Sequence, residues 1–351
     1  MATLTGCLGN TGLAGGESSD GLTAQATFFV FGDVTGQIAG DAANAELLVP
    51  VGQHGHGWEP GPRVREAVQN ADLLVHGMTG FQPWVDDIRR DLDADDAAVA
   101  TVDASAGLDL LEPGENHDHG HEEDGHEEGT HDGHDEKGTH DGHDEGMHGG
   151  HDEEGTHDGH DEEGTHDGHD HGEGMDPHFW MDPLRVADAV ENVRRGLADV
   201  DPDGADAYAA NADAFRTRLE DLHERIASTV ADASKGTILV AGHDSFQYFS
   251  DRYGVRVEAL TNVSPDDRPT TRDIERAQAI VAEHDLEYVC ADPLESQRAA
   301  DQLVEATDAT AVLPLTAMPG LTDEWADEDW GYVEVTENVN LPTLEQALDA
   351  Q

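Results

Sequence analysis

The chain has 351 residues, with 77 acidic side chains against 18 basic ones and a formal net charge of −59. That surplus repels polyanions and excludes nucleic acid as a partner class. The stretch 115–176 holds 24 acids and one lysine, about −23, which leaves 53 acids against 17 bases, or −36, over the other 289 residues. With Lys137 and Lys235 its only lysines, the composition is halophilic: screening in concentrated salt would remove the self-repulsion. An acidic protein of ordinary salt is the alternative. No run is long and apolar enough to cross a membrane.

At the start, Leu4-Thr5-Gly6-Cys7 resembles a lipobox, which makes Cys7 a candidate lipidation site, although the basic and apolar parts of a leader are missing upstream. Residues 9–21 read as a flexible tether of Gly, Ser, Thr and Asn. Short apolar runs at 26–31, 45–51, 72–76 and 99–102 then predict buried strands, with helices between them over 35–43, 62–70 and 83–92. After the middle of the chain the alternation resumes, with strands at 237–241, 255–259, 288–291 and 311–315. Helices are predicted near 271–284, 295–307 and 342–350. Two sets of alternating strands and helices imply an α/β fold of two lobes, each with a parallel sheet covered on both faces. Cys290, in the apolar run Tyr288-Val289-Cys290-Ala291, reads as a buried thiol.

Between the two sets lies one long helix. Asp201 and Pro202 fit an N-cap and first helical position, and Ala205, Tyr208, Ala212, Phe215, Leu219, Leu222, Ile226 and Val230 recur at steps of three and four. Nearly thirty residues at 1.5 Å each give about 40 Å, enough to join two lobes stiffly. The predicted organisation is therefore a tether (1–21), a first lobe (22–200), a connecting helix (201–231) and a second lobe (232–351).

Within the first lobe, residues 115–176 carry fifteen of the 22 histidines, and five copies of a near nine-residue unit start at Gly129, Gly138, Gly146, Gly155 and Gly164. Imidazoles and carboxylates on a slack strand wrap zinc, nickel or copper without a preformed cage. His131, His134, His140, His143, His157, His160, His166 and His169 are candidate auxiliary metal ligands. The tract has no apolar periodicity, and as a 62-residue coil it spans roughly 45 Å.

Seven histidines lie outside it. His56 follows an apolar strand within Gly52-Gln53-His54-Gly55-His56-Gly57-Trp58-Glu59-Pro60. His178 lies in Asp176-Pro177-His178-Phe179-Trp180-Met181-Asp182-Pro183, ahead of a helix capped by Asp182. His243 follows a strand in Gly242-His243-Asp244-Ser245-Phe246. In open α/β sheets the ligand crevice lies outside the carboxyl ends of the strands, where such histidines could converge on one ion. His54 reads as a loop residue and an auxiliary metal candidate, His76 as a strand end beside the cleft, and His223 and His284 as helix residues away from metal. Trp58, Phe179 and Trp180 read as core aromatics or as an apolar wall around the site.

These three segments, in this order, resemble the signatures of the zinc and manganese solute-binding proteins of ABC importers (ZnuA-type, the cluster A-I or cluster 9 metal-binding lipoproteins), here with a haloarchaeal-like composition. Asn70-Ala71-Asp72-Leu73-Leu74-Val75 and Ser264-Pro265 fit as well, and an acidic His-rich loop ahead of Asp-Pro-His is typical of the zinc branch. The resemblance implies two lobes on a rigid helix, with one metal in the cleft held by His56, His178 and His243. Three neutral imidazoles suit Zn²⁺, whereas manganese-binding relatives add carboxylates. The family's late Asp falls near Leu315-Thr316-Ala317, where this chain has no acid; water, a carboxylate elsewhere or a tract histidine would fill that position.

The expectation is a monomeric, non-enzymatic receptor at the outer face of the cell membrane, probing for Zn²⁺ as cargo (Mn²⁺ or another divalent metal being the alternatives) and delivering it to an ABC permease. The rivals are a metal buffer or chaperone working through the tract, and a zinc metalloenzyme using Glu59 or Asp244 as a base. A sensor or an adhesin on the same scaffold is a further alternative.

Overall fold

The structure is a computed structural model that describes residues 21–55, 57–114, 174–264 and 268–350. Those residues belong to one compact unit, Met1–Asn116 with Asp170–Gln351; the second unit, His117–His169, lies outside the described residues, as do Cys7, most of the tether and the tract histidines.

The first sheet is formed by β1 (Thr23–Ala26), β2 (Asn44–Leu47), β3 (Leu73–His76) and β4 (Ala100–Asp103), all parallel in the order β2-β1-β3-β4. Helices α1 (Phe29–Ala39), α2 (Pro62–Gln69) and α3 (Pro83–Ala94) connect its strands. The predicted strand over 26–31 is corrected: it stops at Ala26, and Phe29, Val30 and Phe31 form the first turn of α1, which ends at Gly40 with φ 52°. A strand buried on both faces and a helix buried all round give the same apolar run, so periodicity cannot separate them.

Asp182 caps α4 (Pro183–Val200), its side chain accepting from the Leu184 N–H at 3.0 Å. The connecting helix α5 (Ala205–Ala231) follows a 3₁₀ turn at Pro202–Gly204, so regular helix starts three residues later than its N-cap signal suggests. It buries Tyr208, Ala212, Phe215, Leu219, Leu222 and Ile226, the face that the spacing of three and four picks out.

The second lobe repeats the first. Strands β5 (Thr237–Val240), β6 (Arg256–Ala259), β7 (Tyr288–Ala291) and β8 (Ala311–Pro314) make a parallel sheet in the order β6-β5-β7-β8. Helices α6 (Gln247–Tyr253), α7 (Thr271–Glu283) and α8 (Arg298–Ala306) join them. The helix predicted to begin at residue 295 begins at Arg298 instead, because the Gln297 side chain turns back to donate to the carbonyls of Asp292 (2.7 Å) and Glu295 (3.0 Å). After short helices α9 (Asp323–Asp327) and α10 (Tyr332–Val335) and a π-helical turn at Thr336–Asn340, the chain closes with α11 (Leu341–Ala347).

One apolar core runs through both lobes, from Ala24 and Phe31 through Trp180, Leu219 and Ile226 to Ile238, Cys290 and Leu344. Asp182, fully buried, accepts from Arg185 Nη1 at 2.9 Å and from Arg252 of α6 at 2.6 and 2.8 Å, pinning α4 to the second lobe. A shared core and a buried ion triad favour small tilts over a wide hinge. No described helix is long and apolar enough to cross a membrane.

Candidate metal centre

The carboxyl ends of β2, β5 and β7 open toward one another, and the side chains delivered there define the site. His243 stands three residues beyond β5 and is 6 % exposed; His178 precedes a 3₁₀ turn at Phe179–Met181 and is 1 % exposed. Their Nε2 atoms lie 3.4 Å apart. Behind each ring stands a carboxylate: Asp176 Oδ1 is 2.7 Å from His178 Nδ1, and Glu295 Oε1 is 3.0 Å from His243 Nδ1. A carboxylate only accepts, so in the neutral imidazoles Nδ1 carries the hydrogen and Nε2 the lone pair. Both lone pairs therefore face the space between the lobes.

His54, half-buried in the loop after β2, completes a cluster with His243 and Glu295 whose potential ligand atoms lie within 4.8 Å of one another. Its Nε2 is 3.3 Å from Glu295 Oε1. His56 lies outside the described residues. The site thus brings together His54, His178 and His243 from three segments. It adds two acids that the sequence left elsewhere: Glu295, read as the start of a helix, and Asp176, read as the end of the tract. For Glu295 the available signal was its place just beyond a strand end. For Asp176 it was the Asp-Pro turn, in which Oδ1 also accepts the His178 N–H at 2.9 Å.

Electrostatics set the protonation of this group. Burial, then the neighbouring His243 and His54, push His178 well below its ordinary value, so its imidazole stays neutral. Burial raises Asp176 to about 7, against the backbone hydrogen bond from His178; its Oδ2 has no hydrogen-bond partner among the described residues. Burial also opposes the charge of Glu295, but hydrogen bonds and charge from His243 and His54 outweigh it and hold the carboxyl at about 2. Asp244, raised to about 6 by burial and then by Asp176, neighbours His243.

The remaining described histidines, His76, His223 and His284, have partners of their own elsewhere. His76 is buried with Nδ1 2.6 Å from the Gly77 carbonyl, and burial lowers its pKa. His223 Nδ1 lies 3.1 Å from the Tyr253 hydroxyl, and His284 caps the end of α7. The aromatics serve as core and wall together: Trp180 is fully buried with its ring 5.3 Å from that of His178, and Trp58 packs edge-on to Trp84 at 5.4 Å.

The described residues on either side of 115–173 are tied to each other and to α6. The Asp176 N–H donates to the Leu111 carbonyl at 2.8 Å, and the Tyr248 hydroxyl donates to the Asp176 carbonyl (2.7 Å) while accepting the Leu111 N–H (2.9 Å). Gln247 grips Glu112 and Gly114 in the same way, at 2.7 Å each.

Two parallel α/β lobes on a stiff helix, with imidazoles from both meeting in the cleft, define a solute-binding protein of the metal-receptor class. The chain belongs to the ZnuA family, the periplasmic component A of the zinc-uptake complex, whose model matches residues 25–347. It is 26 % identical over 347 residues to the high-affinity zinc uptake system protein ZnuA of Bacillus subtilis strain 168, covering 98 % of this chain and 94 % of that protein. Identity to the zinc-binding lipoprotein AdcA of Streptococcus pneumoniae is 29 % over 339 residues, or 95 % of this chain and 58 % of that longer protein. Among solved structures, the Zn(II)-bound ZnuA-like domain of AdcA from Streptococcus pneumoniae shares the fold with a TM-score of 0.67 at 24 % identity, over 94 % of this chain and 99 % of that one.

Proposed function

We propose that the protein captures Zn²⁺ as cargo outside the cytoplasm and delivers it to an ABC permease, the ion being held by His178, His243 and a histidine of the loop after β2. One observation carries the reading. Tetrahedral zinc with Zn–N bonds of about 2.0–2.1 Å needs ligand nitrogens about 3.3–3.4 Å apart. His178 and His243 present their Nε2 atoms at 3.4 Å. Each is oriented by its own carboxylate, an arrangement that fixes ring angle and raises ligand basicity. The names of the relatives, zinc uptake and zinc-binding proteins, point the same way.

The third imidazole comes from His56 by resemblance to the family, with His54 beside it in the same glycine-rich loop. Glu295 then supplies the negative charge that the family's late acid would bring, from a different loop. Three imidazoles favour zinc over manganese, a harder ion that prefers oxygen. Because the ligands come from both lobes, docking on the permease needs only a small displacement of one lobe to break the coordination. A receptor of this kind binds and releases and makes no bonds. The tract, rooted at Leu111 and Asp176 beside the cleft, raises the local concentration of the ion. The resemblance of Leu4-Thr5-Gly6-Cys7 to a lipobox supports a lipid anchor at Cys7.

Competition titration of the full chain with Zn²⁺ and Mn²⁺ tests this reading. One zinc ion should bind far more tightly than the rest, and tightly bound zinc should be lost in His178→Ala and in His243→Ala. His54→Ala and His56→Ala, made separately, identify the loop ligand as the one whose loss costs more. Equal affinity for all bound ions would make the protein a buffer instead.

A further inference from the structure

We infer that residues 315–321 form a strap that holds the loops bearing His54, His178 and Glu295 and thereby sets the rate at which metal leaves; this rests on the receptor reading above. The stem of the strap is fixed to the second lobe. The Thr316 N–H donates to Asn340 Oδ1, and Asn340 Nδ2 donates back to the Thr316 carbonyl, both at 2.9 Å. From there the strap crosses to the first lobe. The Ala317 carbonyl accepts Trp180 Nε1–H at 2.8 Å, two residues from His178. The Pro319 and Leu321 carbonyls accept the N–H groups of Gly55 and Gly52, both at 2.7 Å, on either side of His54.

Asp292 ties in the remaining acid. Its Oδ2 accepts the Thr316 hydroxyl at 2.6 Å and the Ala317 N–H at 3.2 Å, while Oδ1 accepts the Leu294 N–H at 2.8 Å. The loop that carries Glu295 is thus fastened to the same strap. Asp292 and Thr316 touch no candidate ligand atom and act as positioning residues. Three loops from two lobes share one support, so a displacement of its tip reaches His54, His178 and Glu295 together.

The packing leaves the strap little freedom. Residues 315–320 are buried, and Met318 holds φ at 56°, a left-handed conformation that a side-chain-bearing residue keeps only where its surroundings enforce it. At Gly320 a Cβ would fall 2.2 Å from the Gln53 carbonyl oxygen, the backbone neighbour of His54.

The test is zinc release from the full chain, followed by stopped-flow capture with a chromophoric chelator. Gly320→Ala, which pushes the strap off the His54 loop, and Thr316→Val, which unfastens Asp292, should each speed dissociation at least tenfold. Thr316→Ser restores the hydroxyl and should return the rate to within about threefold of the wild type. Wild-type rates in both disruptive variants, or a Thr316→Ser protein as fast as Thr316→Val, overturn the inference. If Gly320→Ala does not fold, the Thr316 pair decides alone. His243→Ala is the separate control: if it keeps tightly bound zinc, the receptor reading itself fails, whereas unchanged strap variants beside a dead His243→Ala remove only the strap.

Discussion

Replacing Asp176 by Asn separates what the buried carboxylate does for the metal from what it does to the fold. Asp176 is fully buried, accepts two hydrogen bonds from His178, and has an unpartnered Oδ2 among the described residues. Asparagine keeps the shape and one carbonyl acceptor but cannot carry the charge that polarises the imidazole. Loss of such a carboxylate behind a metal-bound histidine costs roughly 10–100-fold in affinity, or about 1.4–2.7 kcal/mol. The sign for the metal-free fold is opposite. The carboxyl titrates at about 7 in the folded chain against an ordinary value of about 3.9. Between those pH values the folded chain holds a proton that the unfolded chain releases, so stability falls as pH rises, by up to about 4 kcal/mol once pH passes 7.

Asp176→Asn should therefore bind zinc more weakly while its metal-free form melts at a higher temperature than the wild type at pH 8, with the gap closing by pH 4. Chelator competition and thermal melts at the two pH values measure both halves. Calorimetry at pH 6 in buffers of different ionisation enthalpy adds a third readout. Zinc binding to the wild type should release a proton from Asp176 that the variant lacks. An unchanged zinc affinity, or a metal-free variant that melts lower at pH 8, would sink the argument that this acid is held at a cost to the fold for the sake of the ligand.

Deleting His117–His169 should leave the single tight zinc site in place and remove the weaker bound ions, as counted by equilibrium dialysis; loss of the tight site would place it in the tract. The boundary matters, because a deletion reaching Asp176 would remove the carboxylate behind His178. Asp182→Ala leaves the buried Arg185 guanidinium to the Asp109 carbonyl and the more distant Asp251 carboxylate at 3.5 Å, and should lower unfolding free energy by about 3 kcal/mol in urea, with a change under 1 kcal/mol counting against the triad. Raising KCl from about 0.1 to 1 M shortens the Debye length from about 10 to 3 Å. A body of net −36 should then melt at a clearly higher temperature, and a flat salt profile would remove the reading of a salt-adapted surface.

Much of the architecture was legible because local and tertiary demands agree. Among the described residues, β3 to β8 fall within a residue or two of the apolar runs that predict them, and α5 buries the stripe its spacing defines. The strand expected over 26–31 failed because Phe28–Phe31 is buried whichever way it is wound, and only packing against Trp180 and Phe81 decides. The site was legible in part for a different reason. His178 and His243 stand at strand and helix ends, where the chemistry of open sheets collects. His54 and His56 are two residues apart in a loop with glycine at 52, 55 and 57, which lets the chain turn either imidazole inward, so spacing alone cannot choose.

Glu295 and Asp292 were passed over for a related reason. The residues from 295 onward read naturally as a helical first turn, yet Gln297 holds 292–297 in a loop, and that loop places one acid behind His243 and the other under the strap. The centre gains negative charge from that loop. Charge near a cation can be supplied from any direction that geometry permits. A carboxylate that orients His243 through Nδ1 also restrains that ring, which on the receptor reading is the one that moves for release. Binding strength and release are then tuned through one loop, and substitutions at Asp292 or Glu295 should change both together.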